Sequence, residues 1–118
     1  MRYRWILPLL LLPSAVAAQT PQACTGPESR QFDFWVGKWE VFPARQPDTK
    51  VADSLIEALY KGCAVRENWM PLSGNGGGSL NAFVAAEGRW RQTWLDSTGV
   101  FADFRGGWNG AAMVLEGV

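Results

Sequence analysis

Short apolar stretches alternate with turn-forming residues along most of this chain. Glycine, proline, asparagine and serine interrupt it about every 8 to 12 residues, a spacing typical of β-sandwiches and β-barrels. Between these turns lie seven predicted strands, at residues 39–42, 54–60, 64–71, 79–86, 89–96, 100–105 and 111–117. Because each connection is short enough for a hairpin, we predict an all-β fold, an antiparallel up-and-down meander that forms a barrel.

Three segments do not follow the simple pattern of strands and turns. Residues 54–60 also fit two turns of an amphipathic helix, and residues 32–36 fit a short helical turn that leads into the first strand. The glycine-rich run at 73–78 has no following lysine or helix start, so it is a hairpin loop rather than a phosphate site. Since the sequence stops within its last predicted strand, we expect a barrel incomplete at the C-terminus, with an open edge available for self-association.

The first 18 residues are typical of a cleavable signal peptide. A basic start is followed by a leucine-rich run and then by a group of small residues. The run is shorter than the roughly 20 residues of a membrane-spanning helix and contains Pro8 and Pro13, which disfavours a membrane anchor. We therefore expect a periplasmic or secreted protein. Its predicted parts are a signal peptide (1–18), an N-terminal arm (19–31) and one β domain (32–118).

Charge and composition exclude several classes of function. The chain has 11 basic and 11 acidic residues, and this balance gives no reason to expect nucleic acid as a partner. The absence of histidine excludes a serine–histidine–aspartate triad and histidine-ligated metals. The two cysteines, Cys24 and Cys63, cannot complete a tetrahedral metal site, and in an oxidising compartment they are expected to form a disulfide. We expect no metal and no cofactor.

The candidate chemistry follows from the two-residue period of the strands. In the strand at 89–96, the tryptophans Trp90 and Trp94 share a face with Gln92, while two arginines occupy the other face. In the strand at 64–71, Glu67 shares a face with Trp69. If the tryptophans point inward, a carboxylate and an amide must also point inward, where an unsatisfied polar group is costly.

These residues are the predicted lining of a cavity for a small apolar or amphipathic molecule. The predicted ligand-binding residues are Glu67, Trp69, Asn81, Trp90, Gln92 and Trp94. Three alternatives remain open. The first is a purely structural network in which Gln92 bonds Glu67 and an indole N–H. The second is a small enzyme that uses Glu67 as a general acid or base, with or without Asp96 as a second carboxyl group, although strand direction disfavours that pair. The third is a non-binding truncated barrel fragment whose open edge drives self-association. Trp35 and Trp39, near the start of the domain, are expected to be core residues.

An ordered set of motifs resembles a known family. It comprises Gly37-x-Trp39, Gly62-Cys63, Glu67-x-Trp69, Gly78-x-x-Asn81, Trp90-x-Gln92-x-Trp94-x-Asp96 and Met113-x-Leu115-x-Gly117. The set is similar to that of small exported bacterial proteins of unknown function with a lipocalin-like (calycin-type) barrel. The resemblance implies a barrel with Trp39 packed across one end, an interior that holds a small ligand, and a chain that is a C-terminally truncated member of the family.

Overall fold

The computed structural model describes residues 24–118. The predicted signal peptide and the first five residues of the predicted arm lie outside that range. Three short 3₁₀ turns, Pro27–Arg30, Asp33–Trp35 and Tyr60–Gly62, accompany seven strands. The strands are β1 (Gly37–Val41), β2 (Ala52–Leu59), β3 (Ala64–Pro71), β4 (Gly77–Val84), β5 (Arg89–Asp96), β6 (Phe101–Trp108) and β7 (Met113–Gly117).

The seven strands form one sheet in chain order, and every neighbouring pair is antiparallel. The sheet curls into an open half-barrel, in which β1 and β7 are the two edges. This confirms the predicted all-β meander. The segment at 54–60 is a strand as far as Leu59 and not an amphipathic helix, with Tyr60 beginning the next 3₁₀ turn, and the turn predicted within 32–36 is present at Asp33–Trp35.

Strand β4 begins two residues earlier than predicted, because part of the glycine-rich run enters the sheet. Gly77 pairs with Asp96 of β5, and the indole of Trp94 packs directly over it. A Cβ atom on Gly77 would lie 2.9 Å from Trp94 Cζ2, so this position has no room for a side chain. Glycine here is therefore a packing requirement of the sheet and not only a source of loop flexibility.

The two faces of the sheet differ in burial. In β2, the alternate residues Ala52, Ser54 and Ile56 are buried, and we call their side of the sheet the inner face. Its core consists of Phe32, Ile56, Val65 and Trp90, against which Trp35, Phe83, Met113 and Leu115 pack. Since β-strand side chains alternate, the inner face carries the odd-numbered residues of β3 and the even-numbered residues of β5.

Three contacts fasten the end of the arm to one end of this face. Cys24 and Cys63 form the predicted disulfide, with their Cα atoms 5.0 Å apart. The guanidinium of Arg30 donates to the carbonyl of Gly62, and the indole N–H of Trp90 donates to Gln31 Oε1 at 3.1 Å. The adjoining Phe32 can therefore enter the core as a fixed part of the domain.

Opening the disulfide should measurably destabilise the protein. The bond closes a loop with a sequence separation of 39, and a loop of this size constrains the unfolded chain by about 4 kcal/mol in the chain-entropy model. We expect the double variant Cys24→Ala, Cys63→Ala to lose about 2–4 kcal/mol of unfolding free energy in urea titrations. Reductant should destabilise the parent protein but leave the variant unchanged. Coincident urea transitions for the two proteins would contradict this prediction.

Candidate functional site

Four polar side chains form a continuous hydrogen-bonded ladder across the inner face of β3, β4 and β5. Gln92 Nε2 donates to Asn81 Oδ1 at 2.7 Å, and Asn81 Nδ2 donates to Ser79 Oγ at 3.0 Å. Ser79 Oγ in turn donates to Glu67 Oε2 at 2.8 Å. We call Glu67, Ser79, Asn81 and Gln92 the polar ladder. Its donors all point towards the carboxyl group of Glu67, so each bond polarises the next in the same direction.

The strand register explains why these side chains meet. Glu67 lies directly opposite Ser79 in the β3–β4 pair, and Asn81 lies directly opposite Gln92 in the β4–β5 pair. Ser79 was not among the predicted site residues, although it lies two positions before Asn81 and so shares its face. Glu67 and Gln92 are joined through Ser79 and Asn81 and not by the direct bond of the structural-network alternative.

Glu67 is half-buried and has no ion-pair partner among residues 24–118. Burial raises the pKa of its carboxyl group, and the hydrogen bond from Ser79 opposes this effect. Its Oε1 atom and Oε1 of Gln92 accept no hydrogen bond within the described part of the chain. The ladder therefore leaves two acceptor atoms available to a bound molecule.

The three tryptophans predicted to line the site play different parts. Trp90 is only 2% exposed, meets the ring of Phe32 edge-on at 5.2 Å, and donates its N–H to Gln31. It therefore belongs to the core and offers no free surface to a ligand. Trp69 and Trp94 are half-buried, and their rings remain accessible.

Asn81 is likewise enclosed, with an exposure of 1%, and it also donates to the carbonyl of Val65 at 3.1 Å. It supports the polar ladder from within. The accessible members of the predicted set are therefore Glu67, Trp69, Gln92 and Trp94.

The two accessible indoles differ in their hydrogen bonding. The N–H of Trp94 donates to Asp96 Oδ2 at 3.2 Å, which holds the ring over Gly77. The N–H of Trp69 has no acceptor among the residues described. Trp69 thus combines an accessible ring with an unused donor, two residues along β3 from Glu67.

Ser54 is a buried polar residue that the sequence did not single out. Its exposure is 5%, and its Oγ atom has no hydrogen-bond partner. The register places Ser54 directly between Trp39 of β1 and Trp69 of β3. An unsatisfied buried hydroxyl of this kind costs about 1–3 kcal/mol, so its presence on this face calls for a compensating role.

Trp39 does not form a plug across the end of the barrel. It is 44% exposed, and its indole N–H donates to the carbonyl of Trp35 at 2.6 Å. Because β1 is an edge strand, no further strand covers the ring. Trp35, in contrast, stacks on Phe32 at 4.8 Å and packs against the core, as expected.

Asp96 does not pair with Glu67 as a second catalytic carboxyl group. It accepts hydrogen bonds from the side chain and backbone of Thr98, from Trp94 and from the backbone of Val100. Its bond with the Thr98 hydroxyl is the largest of the effects that hold the pKa of Asp96 below its ordinary value. Asp96 is thus the cap of the β5–β6 turn, and it shares no hydrogen bond with Glu67.

A separate apolar cleft of about 630 Å³ lies between the segment around the Asp33–Trp35 turn and the last two strands. The sequence analysis did not identify it, because its walls come from distant parts of the chain. Phe34 of the Asp33–Trp35 turn and Trp108 of β6 meet there, with ring centroids 5.8 Å apart. The cleft lies several strands away from Glu67, so we treat it as distinct from the candidate site.

The described residues contain no cluster of three or more side chains suited to holding a metal ion. Within residues 24–118, no helix has the length and apolar character needed to cross a membrane. Comparison with protein-family models gives no match, and neither the curated proteins nor the solved structures contain one. The structure therefore defines the class as an antiparallel half-barrel, and the lipocalin-like family remains a proposal.

Ser54→Ala should stabilise the protein. The change removes a buried hydroxyl that has no hydrogen-bond partner and keeps the Cβ atom that packs on the inner face of β2. We expect the unfolding free energy to rise by about 1 kcal/mol in urea titrations. Ser97→Ala, in the exposed β5–β6 turn, is the matched control and should have little effect. A loss of stability in Ser54→Ala would show that the hydroxyl is satisfied in solution.

The buried carboxyl group of Glu67 should make stability depend on pH. The folded protein binds this proton more tightly than the unfolded chain, whose pKa is near the ordinary 4.5. Its contribution to stability is therefore complete below 4.5 and is lost as the pH rises through the raised folded pKa. Glu67→Gln should be more stable than the parent at pH 7, with a gain that vanishes towards pH 4. Urea titrations across this range check the prediction, and a gain equal to that of exposed Glu116→Gln would contradict it.

Proposed function

We propose that this chain is an exported small-molecule-binding module of lipocalin-like type, and that it binds its ligand on the inner face beside Glu67. The observation that carries the proposal is the unused binding capacity of that face. Accessible rings of Trp69 and Trp94 flank a half-buried carboxyl group, and free acceptors, a free indole donor and an unsatisfied serine hydroxyl lie among them. Apolar walls with a few convergent polar groups are typical of small-molecule sites.

The polar ladder supports binding better than it supports a purely structural role. A structural network is most stabilising when all its members are satisfied, since a partly satisfied network costs more than an apolar core. Here the inner members, Ser79 and Asn81, are satisfied, while the acceptors at both ends, on Glu67 and Gln92, are free. The buried middle of the ladder thus holds its accessible ends in fixed positions, as a preorganised site requires.

Export is supported by two independent features. The first 18 residues have the order of a signal peptide, and the Cys24–Cys63 disulfide suits an oxidising compartment. The resemblance of the motif set to that of exported lipocalin-like proteins agrees with both. We therefore assign the mature protein to the periplasm or the extracellular space.

The test is a binding titration with three matched amphiphiles that differ in charge: decanol, decanoate and decyltrimethylammonium, all below their micellar concentrations. We expect at least one of them to change the tryptophan fluorescence of the oxidised protein saturably. Trp94→Phe and Gln92→Ala should each weaken that binding by about fivefold or more, since each removes about 1 kcal/mol of contact or hydrogen bonding.

Matched controls separate the site from the rest of the molecule. Trp108→Phe makes the same change in the apolar cleft, and Gln46→Ala makes it in the β1–β2 loop. Both should bind like the parent. If no amphiphile gives a saturable change, or if Trp108→Phe weakens binding more than Trp94→Phe, the proposed inner-face site is wrong. Size-exclusion chromatography of the same samples reports any self-association through the sheet edges.

A further inference from the structure

Charge is distributed unevenly between the two faces of the sheet. All basic residues of the strands lie on the outer face: Lys38, Arg66, Arg89, Arg91 and Arg105. The strand residues that carry charge on the inner face are Glu67 and Asp96, and both are acidic. The arm contributes Arg30, which is engaged with the Gly62 carbonyl and lies 3.5 Å from Asp33. The inner face near Glu67 therefore carries acidic side chains and no basic strand residue among those described.

Two indoles lie beside this acidic region. Trp69 is two residues from Glu67 on β3, and Trp94 lies two strands from Glu67 in the row that runs through Ser79. Trp39 lies two strands from Trp69 in the row that runs through Ser54. With strands about 4.8 Å apart, Trp94 is within about 10 Å of Glu67, whereas Trp39 is four strands, or about 19 Å along the sheet, from Trp94 and is not part of the same site. Aromatic faces with a nearby carboxylate are the surroundings in which ammonium groups bind.

The unpartnered hydroxyl of Ser54 is an independent sign of a ligand at this place. It is more than nine-tenths buried, faces the same side as Glu67, and has tryptophans opposite it on both neighbouring strands. A buried polar group is normally satisfied, and a hydroxyl of the ligand would satisfy this one. The charge, the aromatic rings and the orphaned hydroxyl thus converge on one part of the face.

We propose that the inner-face site takes an organic cation, an alkylated or quaternary ammonium group placed between Trp69 and Trp94 with its charge against Glu67. This inference rests on the proposed function and specifies the chemical class of the ligand. An anionic ligand would meet two carboxyl groups and no base, and a neutral ligand would leave Glu67 without a counter-ion.

The environment of Glu67 fits this assignment. The residues in its row on β1, β2 and β4, namely Gly37, Ile56 and Ser79, carry no charge, and on β5 the charged group of this face is Asp96. Burial raises the pKa of this carboxyl group in the free protein. A bound cation favours the carboxylate, so binding should release a proton and strengthen as the pH rises.

The test compares choline with its neutral carbon isostere, 3,3-dimethylbutan-1-ol, which has the same shape and hydroxyl group without the charge. The readouts are the indole N–H signals in ¹H–¹⁵N spectra and isothermal titration calorimetry on the oxidised protein. We expect choline to shift the signals of Trp69 and Trp94 saturably and to bind at least about tenfold more tightly than the isostere. Glu67→Gln should remove most of that difference, while Glu116→Gln on the outer face should retain it.

Each other outcome overturns the assignment. Equal binding of choline and the isostere, or a charge preference unchanged in Glu67→Gln, refutes the cation site but leaves the proposed binding function intact. The same holds if neither compound shifts the indoles while decanol or decanoate binds in the amphiphile titration. If no compound in either experiment binds, the cation site and the proposed function both fail.

Discussion

Burial of Trp90 is the constraint on which the inner face depends. Its ring meets Phe32, next to the arm, and Phe83 from the neighbouring strand, and its N–H donates to Gln31 at the end of the arm. Once Trp90 points inward, the two-residue period of β5 turns Gln92 and Trp94 inward as well. The antiparallel register then carries this orientation through β4 to Glu67 on β3. One large aromatic residue thus determines which face receives the polar side chains.

The same face serves two purposes that oppose each other energetically. Its core end is apolar and closely packed, with Ile56, Val65 and Trp90 almost fully buried. Its other end holds a half-buried carboxyl group and an unsatisfied hydroxyl, both of which reduce stability in the free protein. Proteins commonly retain such locally unfavourable groups where a ligand compensates for them. The disulfide, at the core end, contributes stability away from this region.

The sequence was sufficient to predict the fold class because the spacing of its turn-forming residues and the two-residue period between them both indicate short β-strands. Two of the seven strands, β3 and β5, have the predicted bounds, and both contain a clear alternation between tryptophan and polar residues. Strand β4 starts earlier than predicted, because glycines that resemble a loop are selected here by close packing under Trp94. Local composition cannot distinguish these two reasons for a glycine.

The sequence by itself determined which residues share a face, and so it placed Glu67, Gln92 and the tryptophans together, because strand periodicity is a local property. Only the tertiary structure decided which of these residues are joined by hydrogen bonds, which are buried and which remain accessible. The strand register connects Glu67 to Gln92 through Ser79 and Asn81. Packing against the arm buries Trp90 in the core. The position of β1 at the edge of the sheet leaves Trp39 exposed. These outcomes depend on contacts between distant segments, which no local pattern encodes. The orphaned hydroxyl of Ser54 is of the same kind, since burial without a partner is a property of the assembled sheet.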